Sequence, residues 1–373
     1  MKILHVVGAR PNFMKVAPVM AAFERRATML RITQRLVHTG QHYDRRMSEL
    51  FFDELGLPRP DINLDVGSAS HGAQTGRIME RFETVLADER PDLVMVVGDV
   101  NSTLACAVDA KKMGIPVAHV EAGLRSGDIT MPEEINRIVT DAISDLLFTT
   151  EHSAAHNCHA GQVHFVGNVM IDTLLTHRER ALARPTLHQL GLMQGDMPRP
   201  YAVLTLHRPS NVETRELLAG LGEAIAELGR RMPVVFPVHP RTQARISAFD
   251  LDGLFSRELG YHCIEPLGYL DFLNLMANAR AVLTDSGGVQ EETSILGVPC
   301  LTLRDNTERP ATVEQGTNRL VGAAPAQVRA GIQAFLDEQG QRPARVPELW
   351  DGHAADRIAD VVIAWWGGLK CGQ

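Results

Sequence analysis

The strongest constraint on the fold of this chain is the alternation of short apolar runs with amphipathic helix patterns. In the first half, the runs are rich in β-branched residues, and helical patterns such as those at 102–113 and 133–144 separate them. The runs lie at residues 3–7, 36–38, 93–97, 117–120, 146–148 and 163–166. Short buried strands that alternate with helices are typical of βαβ units, so this pattern predicts a parallel sheet.

The alternation stops and then begins again in the second half. After Asp172 the chain becomes polar and proline-dotted up to Arg199-Pro200, and new apolar runs follow at 202–206, 234–238, 263–264, 281–283 and 299–301. We therefore predict an α/β protein with two Rossmann-like, doubly wound domains, residues 1–175 and 176–352. A ligand is expected in the cleft between them, outside the carboxyl ends of the strands. A last helix pattern within residues 353–373 could pack back on the first domain, which the sequence alone leaves open.

The most informative loop is TDSGGVQEE at residues 284–292, directly after an apolar run. It predicts a strand, a tight turn and a helix whose N-terminus holds Ser286, Gly287 and Gly288. Free N–H groups and the positive end of the helix dipole attract an anion there, and two glycines would let a phosphate approach the backbone. Glu292 lies about one turn beyond Gly288, where a carboxylate suits ribose hydroxyls. The loop predicts a nucleoside diphosphate site, with an ordinary strand–helix turn as the alternative.

Composition narrows the class of protein further. No stretch approaches the roughly 20 apolar residues of a membrane span, and the N-terminal apolar run is too short for a signal peptide. The formal net charge of −8 argues against general nucleic-acid binding. The five cysteines are scattered without a C-x-x-C pair, which fits a reducing cytoplasm and neither a disulfide framework nor a zinc site.

The first strand is not followed by a dinucleotide or Walker motif. It is followed by GARPNFMK, which lacks G-x-G-x-x-G, so no nicotinamide cofactor is predicted. Arg10 and Lys15 flank the start of the first helix, where two cations can meet a diphosphate or simply face solvent. Asp250-Leu251-Asp252 resembles a metal-binding D-x-D but falls in a polar connector, and we predict no metal site.

Polar residues cluster just past several predicted strand ends. The segments GDVNST at 98–103, HVEAGLRSG at 119–127, LHRPSN at 206–211 and VHPRT at 238–242 follow four strands, and MPEEINR at 131–137 opens a helix. Each residue has a structural alternative, such as an N-cap or a first-turn carboxylate. Because the carboxyl ends of parallel strands meet at one edge, their convergence favours a chemical site.

These segments resemble the non-hydrolysing UDP-N-acetylglucosamine 2-epimerases. Four further segments share the resemblance: GARPNFMKVAPV, TGQHYD, LTDSGGVQEE and RDNTERP. They occur in the same order from Gly8 to about Gly322. The resemblance implies two domains of glycosyltransferase-B type, a homodimer and no cofactor. It also implies interconversion of UDP-GlcNAc and UDP-ManNAc, through elimination of UDP to 2-acetamidoglucal and re-addition, for cell-surface polysaccharide precursors.

The resemblance also implies roles for individual residues. Asp99, Glu121, Glu133 and His207 match the positions assigned to catalysis, although the sequence does not say which carboxylate is the base. The substrate-binding positions fall into a diphosphate set, a ribose ligand, a uracil segment and one further arginine. They are Arg10, Lys15, Ser286, Gly287 and Gly288 for the diphosphate, Glu292 for the ribose, Leu267 and Phe272 for the uracil, and Arg309.

Several segments also fit other functions. The stretch Gln41-His42-Tyr43-Asp44 lacks the second glutamine through which some members bind an activating UDP-GlcNAc. TGQHYD and MSELFF also resemble relatives that epimerise UDP-2,3-diacetamido-2,3-dideoxyglucuronate, whereas Glu308-Arg309-Pro310 resembles the UDP-GlcNAc enzymes. A retaining glycosyltransferase on the same fold and a non-catalytic sugar-nucleotide sensor are the alternatives from other classes.

Overall fold

The structure is a computed structural model that describes residues 1–27, 31–40, 55–56, 58–338 and 345–371; the side chains of Arg10, Lys370 and Cys371 are not described. The chain forms two compact units, one of residues 1–176 and 348–373 and the other of residues 177–347. Among the described residues, no helix combines the length and the apolar character needed to cross a bilayer.

The first unit is built on a seven-stranded parallel sheet. Its strands, in chain order, are β1 Lys2–Val7, β2 Thr33–His38, β3 Ile62–Asn63, β4 Leu93–Val97, β5 Val117–Ala122, β6 Leu146–Thr149 and β7 Gln162–Phe165. They are arranged in the spatial order β3-β2-β1-β4-β5-β6-β7. This order reverses direction between β1 and β4, which is the arrangement of a doubly wound sheet.

The second unit repeats the same topology. A two-residue hairpin, β8 Met193–Gln194 and β9 Met197–Pro198, precedes the main strands β10 Ala202–Thr205, β11 Val234–Pro237, β12 Tyr261–Ile264, β13 Ala281–Thr284, β14 Cys300–Thr302 and β15 Asn318–Leu320. The main strands form a parallel sheet in the order β12-β11-β10-β13-β14-β15. Its switch point lies between β10 and β13, where ligands bind in folds of this kind.

Helices connect the strands in both units. In chain order they are α1 Arg10–Ala27, α2 His71–Glu89, α3 Asn101–Lys112, α4 Pro132–Ile143, α5 His152–Ala155, α6 Val169–Leu182, α7 Thr186–Gln189, α8 Pro209–Val212, α9 Arg215–Gly229, α10 Pro240–Ala248, α11 Tyr269–Ala277, α12 Gly287–Leu296, α13 Pro310–Glu314, α14 Pro325–Asp337 and α15 Ala354–Cys371.

Both faces of the first sheet are buried, which explains why its strands are apolar without a polar alternation. Ile3 and Met95 face a core that contains Phe23 of α1, whereas Leu4 and Val94 face a second core formed with α2 and α3. Side chains alternate between the two faces of a strand, so covering both faces requires continuous apolar runs. The observed sheet therefore confirms the doubly wound α/β fold predicted from those runs.

The C-terminal helix α15 belongs to the first unit. Ile358, Ala359 and Val362 lie in the same core as Phe23. The amides of Ala354 and Ala355 donate to the carboxylate of Asp172, at 3.2 and 2.7 Å, and so satisfy the free N–H groups at the start of the helix. These contacts fix α15 against α1, through the core, and against α6, through Asp172.

Candidate functional site

In the first unit, the turn after β1 is fixed by Asn12. Its Oδ1 accepts hydrogen bonds from the amides of Gly8 (3.1 Å) and Ala9 (2.9 Å), and its Nδ2 donates to the carbonyl of Val97 (3.1 Å). These bonds join the start of α1 to the carboxyl end of β4. Lys15 follows one turn later and is buried. Arg10 begins α1, but its side chain lies outside the described part of the structure.

Glu121 is the most unusual residue of this edge. It is 4% exposed and has a φ of +71°, a left-handed conformation that residues with a side chain rarely adopt. The register between β5 and β6 shifts at this point, so Glu121 is the extra residue of a β-bulge. The carboxylate forms an ion pair with the ammonium group of Lys15. Strain of this kind is often kept where it aims a functional side chain.

Asp99, directly after β4, is held by a buried arginine. Its Oδ2 accepts from Nη1 of Arg137 at 2.5 Å, and its carbonyl accepts from Nδ2 of Asn136 at 2.8 Å. Arg137 is 2% exposed and also donates to Glu134 through Nη2 (2.6 Å) and Nε (3.0 Å). The side chain of the neighbouring Glu133 is exposed. The two glutamates of MPEEINR thus differ, because Glu134 is built into the network and Glu133 faces solvent.

A second buried pair ties together the backbone around Asp99 and Glu121. His119 is fully buried, with Nδ1 2.7 Å from Oδ1 of Asp141 and Nε2 2.8 Å from the carbonyl of Gly98. Each ring nitrogen of His119 thus faces an oxygen that accepts hydrogen bonds. Oδ2 of Asp141 accepts from the amide of Gly123 at 3.1 Å and pairs with Arg125 at 2.7 Å.

The charge on Asp141 is favoured by these contacts. Burial of the carboxylate opposes its ionisation, but the hydrogen bond from His119 and the charges of His119 and Arg125 outweigh it and lower the pKa of Asp141. His119 and Gly123, which both contact Asp141, lie two residues before and two residues after Glu121, and His119 also contacts the carbonyl of Gly98, the residue before Asp99. Asp141 therefore fixes the backbone from which both carboxylates project.

In the second unit, the carboxylate of Asp285 binds the two residues His207 and Arg208, which follow β10. Oδ1 of Asp285 lies 2.9 Å from Nδ1 of His207, and Oδ2 accepts from the amides of His207 and Arg208 at 3.0 and 2.9 Å. Burial opposes the ionisation of Asp285, but these donors lower its pKa. The side chain of His207 remains 41% exposed, so one edge of its ring is open to a ligand while the other is held by a buried carboxylate.

The loop after β13 forms the predicted strand, turn and helix, with Ser286 as the N-cap of α12. The two glycines of this turn differ in their surroundings. A Cβ on Gly287 would lie 2.9 Å from Oε1 of Glu308, so the chain itself fills that space. A Cβ on Gly288 would meet no atom within 4 Å. Of these two glycines, Gly288 is therefore the one that faces open space.

Arginines surround the acid that fills the space beside Gly287. Glu308 lies 2.8 Å from Nη2 of Arg304 and 3.4 Å from Nη2 of Arg208. Burial opposes its ionisation, but the charges of Arg309, Arg304 and Arg208 hold the pKa of Glu308 well below its usual range. Arg309 is itself buried and pairs with Glu291 at 2.5 Å. Three guanidinium groups thus lie close to the helix N-terminus, each held by a buried carboxylate.

Glu292 lies one turn into α12 and is 4% exposed. Burial raises its pKa to about 8, with the charge of Glu291 adding to the effect and the hydroxyl of Tyr269 opposing it. Tyr269 begins α11, directly after Leu267 and Gly268, and Phe272 is on the same helix. Leu267 and Phe272 are both half-buried. The segment predicted to bind uracil and the predicted ribose ligand are therefore neighbours in this unit.

Comparisons with known proteins agree with this arrangement. The family model described as UDP-N-acetylglucosamine 2-epimerase matches residues 24–363. A UDP-N-acetylglucosamine 2-epimerase of Methanocaldococcus jannaschii is 42% identical over 97% of this chain and 99% of its own length. The chain belongs to the UDP-N-acetylglucosamine 2-epimerase family. This confirms the resemblance seen in the sequence motifs.

Other relatives extend the comparison. A UDP-2,3-diacetamido-2,3-dideoxy-D-glucuronate 2-epimerase of Pseudomonas aeruginosa is 41% identical, over 96% of this chain and 99% of its own. A crystal structure of the Methanocaldococcus jannaschii enzyme in complex with UDP-GlcNAc and UDP has a TM-score of 0.87 and 41% identity, over 98% of this chain and all of the other. A calicheamicin glycosyltransferase shares only the fold, with 17% identity and a TM-score of 0.57 over 98% of each chain.

Several residues of these networks were not predicted as functional. His119 and Arg137 occur within the quoted motifs but carried no role, and Asp141, Asp285 and Tyr269 were not selected. The spacing of Glu134 and Arg137, three residues apart on a helix, could have indicated their pair. Two segments considered in the sequence lie outside the described part of the chain. They are Gln41-His42-Tyr43-Asp44, which was compared with an activator site, and MSELFF, which ends at residue 52.

Proposed function

We propose that this protein is a non-hydrolysing 2-epimerase that interconverts UDP-GlcNAc and UDP-ManNAc. The observation that carries the proposal is Glu121, a buried carboxylate held in a left-handed conformation against Lys15. An acid kept in this strained position near a second carboxylate, Asp99, suits proton transfer better than structural support. Membership of the epimerase family supports the same reaction.

The chemistry explains why acids and cations are required and no redox group is needed. The proton on C2 of the sugar is not next to a carbonyl, so direct abstraction is very difficult. When the bond between C1 and the diphosphate oxygen breaks, UDP leaves with the electron pair and positive charge at C1 acidifies the C2 proton. Loss of that proton forms the C1–C2 double bond of 2-acetamidoglucal. Addition of a proton to the other face of C2, and of UDP to C1, gives the epimer.

The first unit has the groups that the proton steps require. Glu121 and Asp99 are the carboxylates at the strand ends, and both are fixed by buried partners. A base and an acid on opposite faces of C2 are needed, and general acid–base groups of this type typically contribute about 100- to 10,000-fold in rate. Glu133, exposed at the start of α4, is a third carboxylate available for this role.

The second unit has the groups that the departure of UDP requires. Ser286 and Gly288 open a helix N-terminus, and His207 presents a ring oriented by Asp285. Donors fixed before the reaction stabilise charge as it develops, which is the main requirement for expelling a diphosphate. Glu292 and Tyr269 would hold the ribose beside them.

Incubation with UDP-GlcNAc alone, followed by proton NMR, tests the proposal. We expect UDP-ManNAc to appear without any acceptor and, in D2O, the product to carry deuterium at C2. Release of free sugar would instead indicate a hydrolase or a transferase lacking its acceptor. A product that keeps its original C2 hydrogen would exclude the elimination route.

UDP-2,3-diacetamido-2,3-dideoxyglucuronate is the second candidate substrate. The Pseudomonas aeruginosa relative of that name is 41% identical, nearly as similar as the Methanocaldococcus jannaschii enzyme at 42%. The two substrates share the UDP moiety and the C2 chemistry and differ at C3 and C6. Comparing kcat/KM for both sugars therefore distinguishes them, and we expect UDP-GlcNAc to be preferred.

Substitution of Gly288 tests the diphosphate site. Gly288→Ala adds a methyl group to open space, so we expect it to leave the fold intact but to weaken UDP binding by about 1–3 kcal/mol, because contacts between backbone N–H groups and a charged ligand are disturbed. Calorimetric titration with UDP measures the change. Gly76→Ala, also at an open position within a helix, is the matched control and should leave UDP affinity unchanged. Equal affinity in Gly288→Ala would mean that this loop is only a turn.

The buried carboxyl of Glu292 predicts a pH dependence of binding. Its pKa of about 8 keeps it mostly protonated at pH 7, whereas accepting ribose hydroxyls favours the ionised form. Binding of UDP-GlcNAc should therefore release a proton, and affinity should rise with pH up to about 8 and then level off. Titration calorimetry in buffers of different ionisation enthalpy counts the proton. In Glu292→Gln, the release and the slope should both vanish; an unchanged slope would contradict the ribose assignment.

The same pKa has an effect on stability in the free protein. Folding raises the pKa of Glu292 from 4.5 to about 8, so the folded state binds a proton that the unfolded state releases between these values. The contribution of Glu292 to stability accordingly falls as the pH rises through this window. Binding of the ligand would offset the cost of ionisation.

We also propose a cytoplasmic homodimer. The four described cysteines form no disulfide, which suits a reducing compartment.

The proposed dimer rests on exposed isoleucines. Ile135 and Ile138, one turn apart on α4, are 50% and 41% exposed in the single chain, and the nearby Ile129 is 73% exposed. Burying these side chains against a second copy would be favourable. Light scattering should therefore give the mass of a dimer, and Ile135→Asp with Ile138→Asp should shift it to a monomer.

A further inference from the structure

A depression of about 750 Å³ lies in the second unit, away from the loop that follows β13. Its walls include Arg199 before β10, Pro233 before β11 and Tyr261 at the start of β12. It therefore opens at the amino ends of these strands. The candidate UDP site follows the carboxyl ends of strands in the same sheet, so the depression and the UDP site lie at opposite ends of these strands.

The depression is strongly positive. Arg199, Arg230, Arg231, Arg257 and His262 line it, and its lining contains no carboxylate. Within the described part of the chain, no ion pair joins any of the four arginines to an acid; the nearby Glu227 pairs with Arg329 instead. Arg199 is half-buried, whereas Arg230, Arg231 and Arg257 are exposed.

Two further observations show that the cations are not simply a solvated surface. Nε of Arg199 is buried and has no hydrogen-bond partner among the described residues. Burial, together with the positive charges of Arg257 and Arg199, lowers the pKa of His262. Nε2 of His262 lies 3.3 Å from Nη2 of Arg257, as an acceptor of that guanidinium. Arg257 and Arg199 are thus both close enough to His262 to affect its charge.

Glycines bring these charges together. A Cβ on Gly229, at the end of α9, would lie 2.4 Å from the carbonyl oxygen of Leu259, and one on Gly260 would lie 2.3 Å from the carbonyl oxygen of Gly229. The end of the helix is therefore pressed against the turn that begins at Arg257. Arg230 and Arg231 also complement the negative end of the α9 dipole. That effect does not account for Arg199 and Arg257, which come from other elements.

We propose that this depression binds a small molecule with two or more phosphate groups. Guanidinium groups from three separate elements can pair with several phosphate oxygens at once, and a volume of this size suits a ligand as large as a nucleotide. The ligand supplies the negative charge that the chain does not provide. The site is separate from the diphosphate site of the proposed epimerase reaction and does not depend on it.

Calorimetric titration of the full chain with inorganic pyrophosphate, in the presence of saturating UDP, tests the proposal. UDP fills the candidate active site, so remaining saturable binding reports the second site. We expect pyrophosphate to bind more tightly than orthophosphate. Arg199→Gln with Arg257→Gln should weaken pyrophosphate about tenfold or more and leave the affinity for UDP unchanged.

Two controls make the test specific. Arg329→Gln removes an exposed arginine that pairs with Glu227 outside the depression, and it should bind pyrophosphate as the parent protein does. Arg230→Gln with Arg231→Gln provides a second disruption that changes only exposed side chains. No saturable binding of pyrophosphate with UDP present, or binding as tight as that of the parent protein in both double variants, would overturn the proposal.

Discussion

Replacement of Glu121 by glutamine is expected to slow epimerisation by about 100- to 10,000-fold. The amide keeps the shape of the side chain but cannot take up or deliver the C2 proton. Because Glu121 is buried in a left-handed conformation, no neighbouring water can easily replace it. The rate of UDP-ManNAc formation from UDP-GlcNAc measures the effect.

The ion pair with Lys15 requires a control, because the amide leaves a buried ammonium group without its carboxylate. In Glu121→Gln with Lys15→Met, neither member of the pair remains charged, so stability should recover while epimerisation stays slow. Recovery of activity in this double variant would mean that Glu121 serves only to neutralise Lys15.

Comparison of the carboxylates separates the proton steps from the loss of UDP. Following 2-acetamidoglucal and epimer separately in Glu121→Gln, Asp99→Asn and Glu133→Gln should identify at least one variant that slows epimerisation more than glucal release. His207→Asn should slow both together, since it acts on the departure of UDP. Near-normal epimerisation in all three carboxamide variants would refute the acid–base assignment.

The fold could be predicted well from the sequence because each strand of a parallel sheet covered on both faces is a continuous apolar run, which is easily recognised. The predicted runs at 93–97 and 117–120 became β4 and β5, and the loop at 284–292 became a strand end, a turn and a helix. Of the strands in the two parallel sheets, β3 and β15 were missed. They contain two and three residues, Asn63 and Asn318 among them, which gives too little apolar signal for detection.

The candidate site was predicted less completely, and the reason is the distance along the chain between its partners. Residues after strand ends, such as Asp99, Glu121 and His207, could be selected because parallel strands end at a common edge. Asp141 and Asp285 lie 22 and 78 residues from the histidines they hold, so no local pattern indicates them. Glu308, whose carboxylate lies beside Gly287, is likewise distant in the sequence from the loop that it contacts.

Asp141→Asn is expected to lower kcat by about 100-fold while leaving KM for UDP-GlcNAc almost unchanged. Asp141 touches no candidate substrate group, but it holds His119, the amide of Gly123 and Arg125 around the bulge at Glu121. An asparagine removes the charge that His119 and Arg125 balance, so the bulge should relax. A displacement of about 1 Å in a reacting group is enough for a loss of this size. Steady-state kinetics, with thermal unfolding measured in parallel, checks the prediction.

Asp145→Asn is the matched control, because Asp145 supports the opposite end of the same strand. Its carboxylate pairs with Lys111 at 2.8 Å and accepts from the amide of Val117 at 2.8 Å, where β5 begins. Both variants should lower the melting temperature, yet only Asp141→Asn should lower kcat at temperatures where each protein is fully folded. If kcat in both variants simply follows the folded fraction, Asp141 stabilises the unit without positioning Glu121. A selective loss of kcat would instead mean that the buried pair of His119 and Asp141 positions Glu121 for the proton transfer at C2.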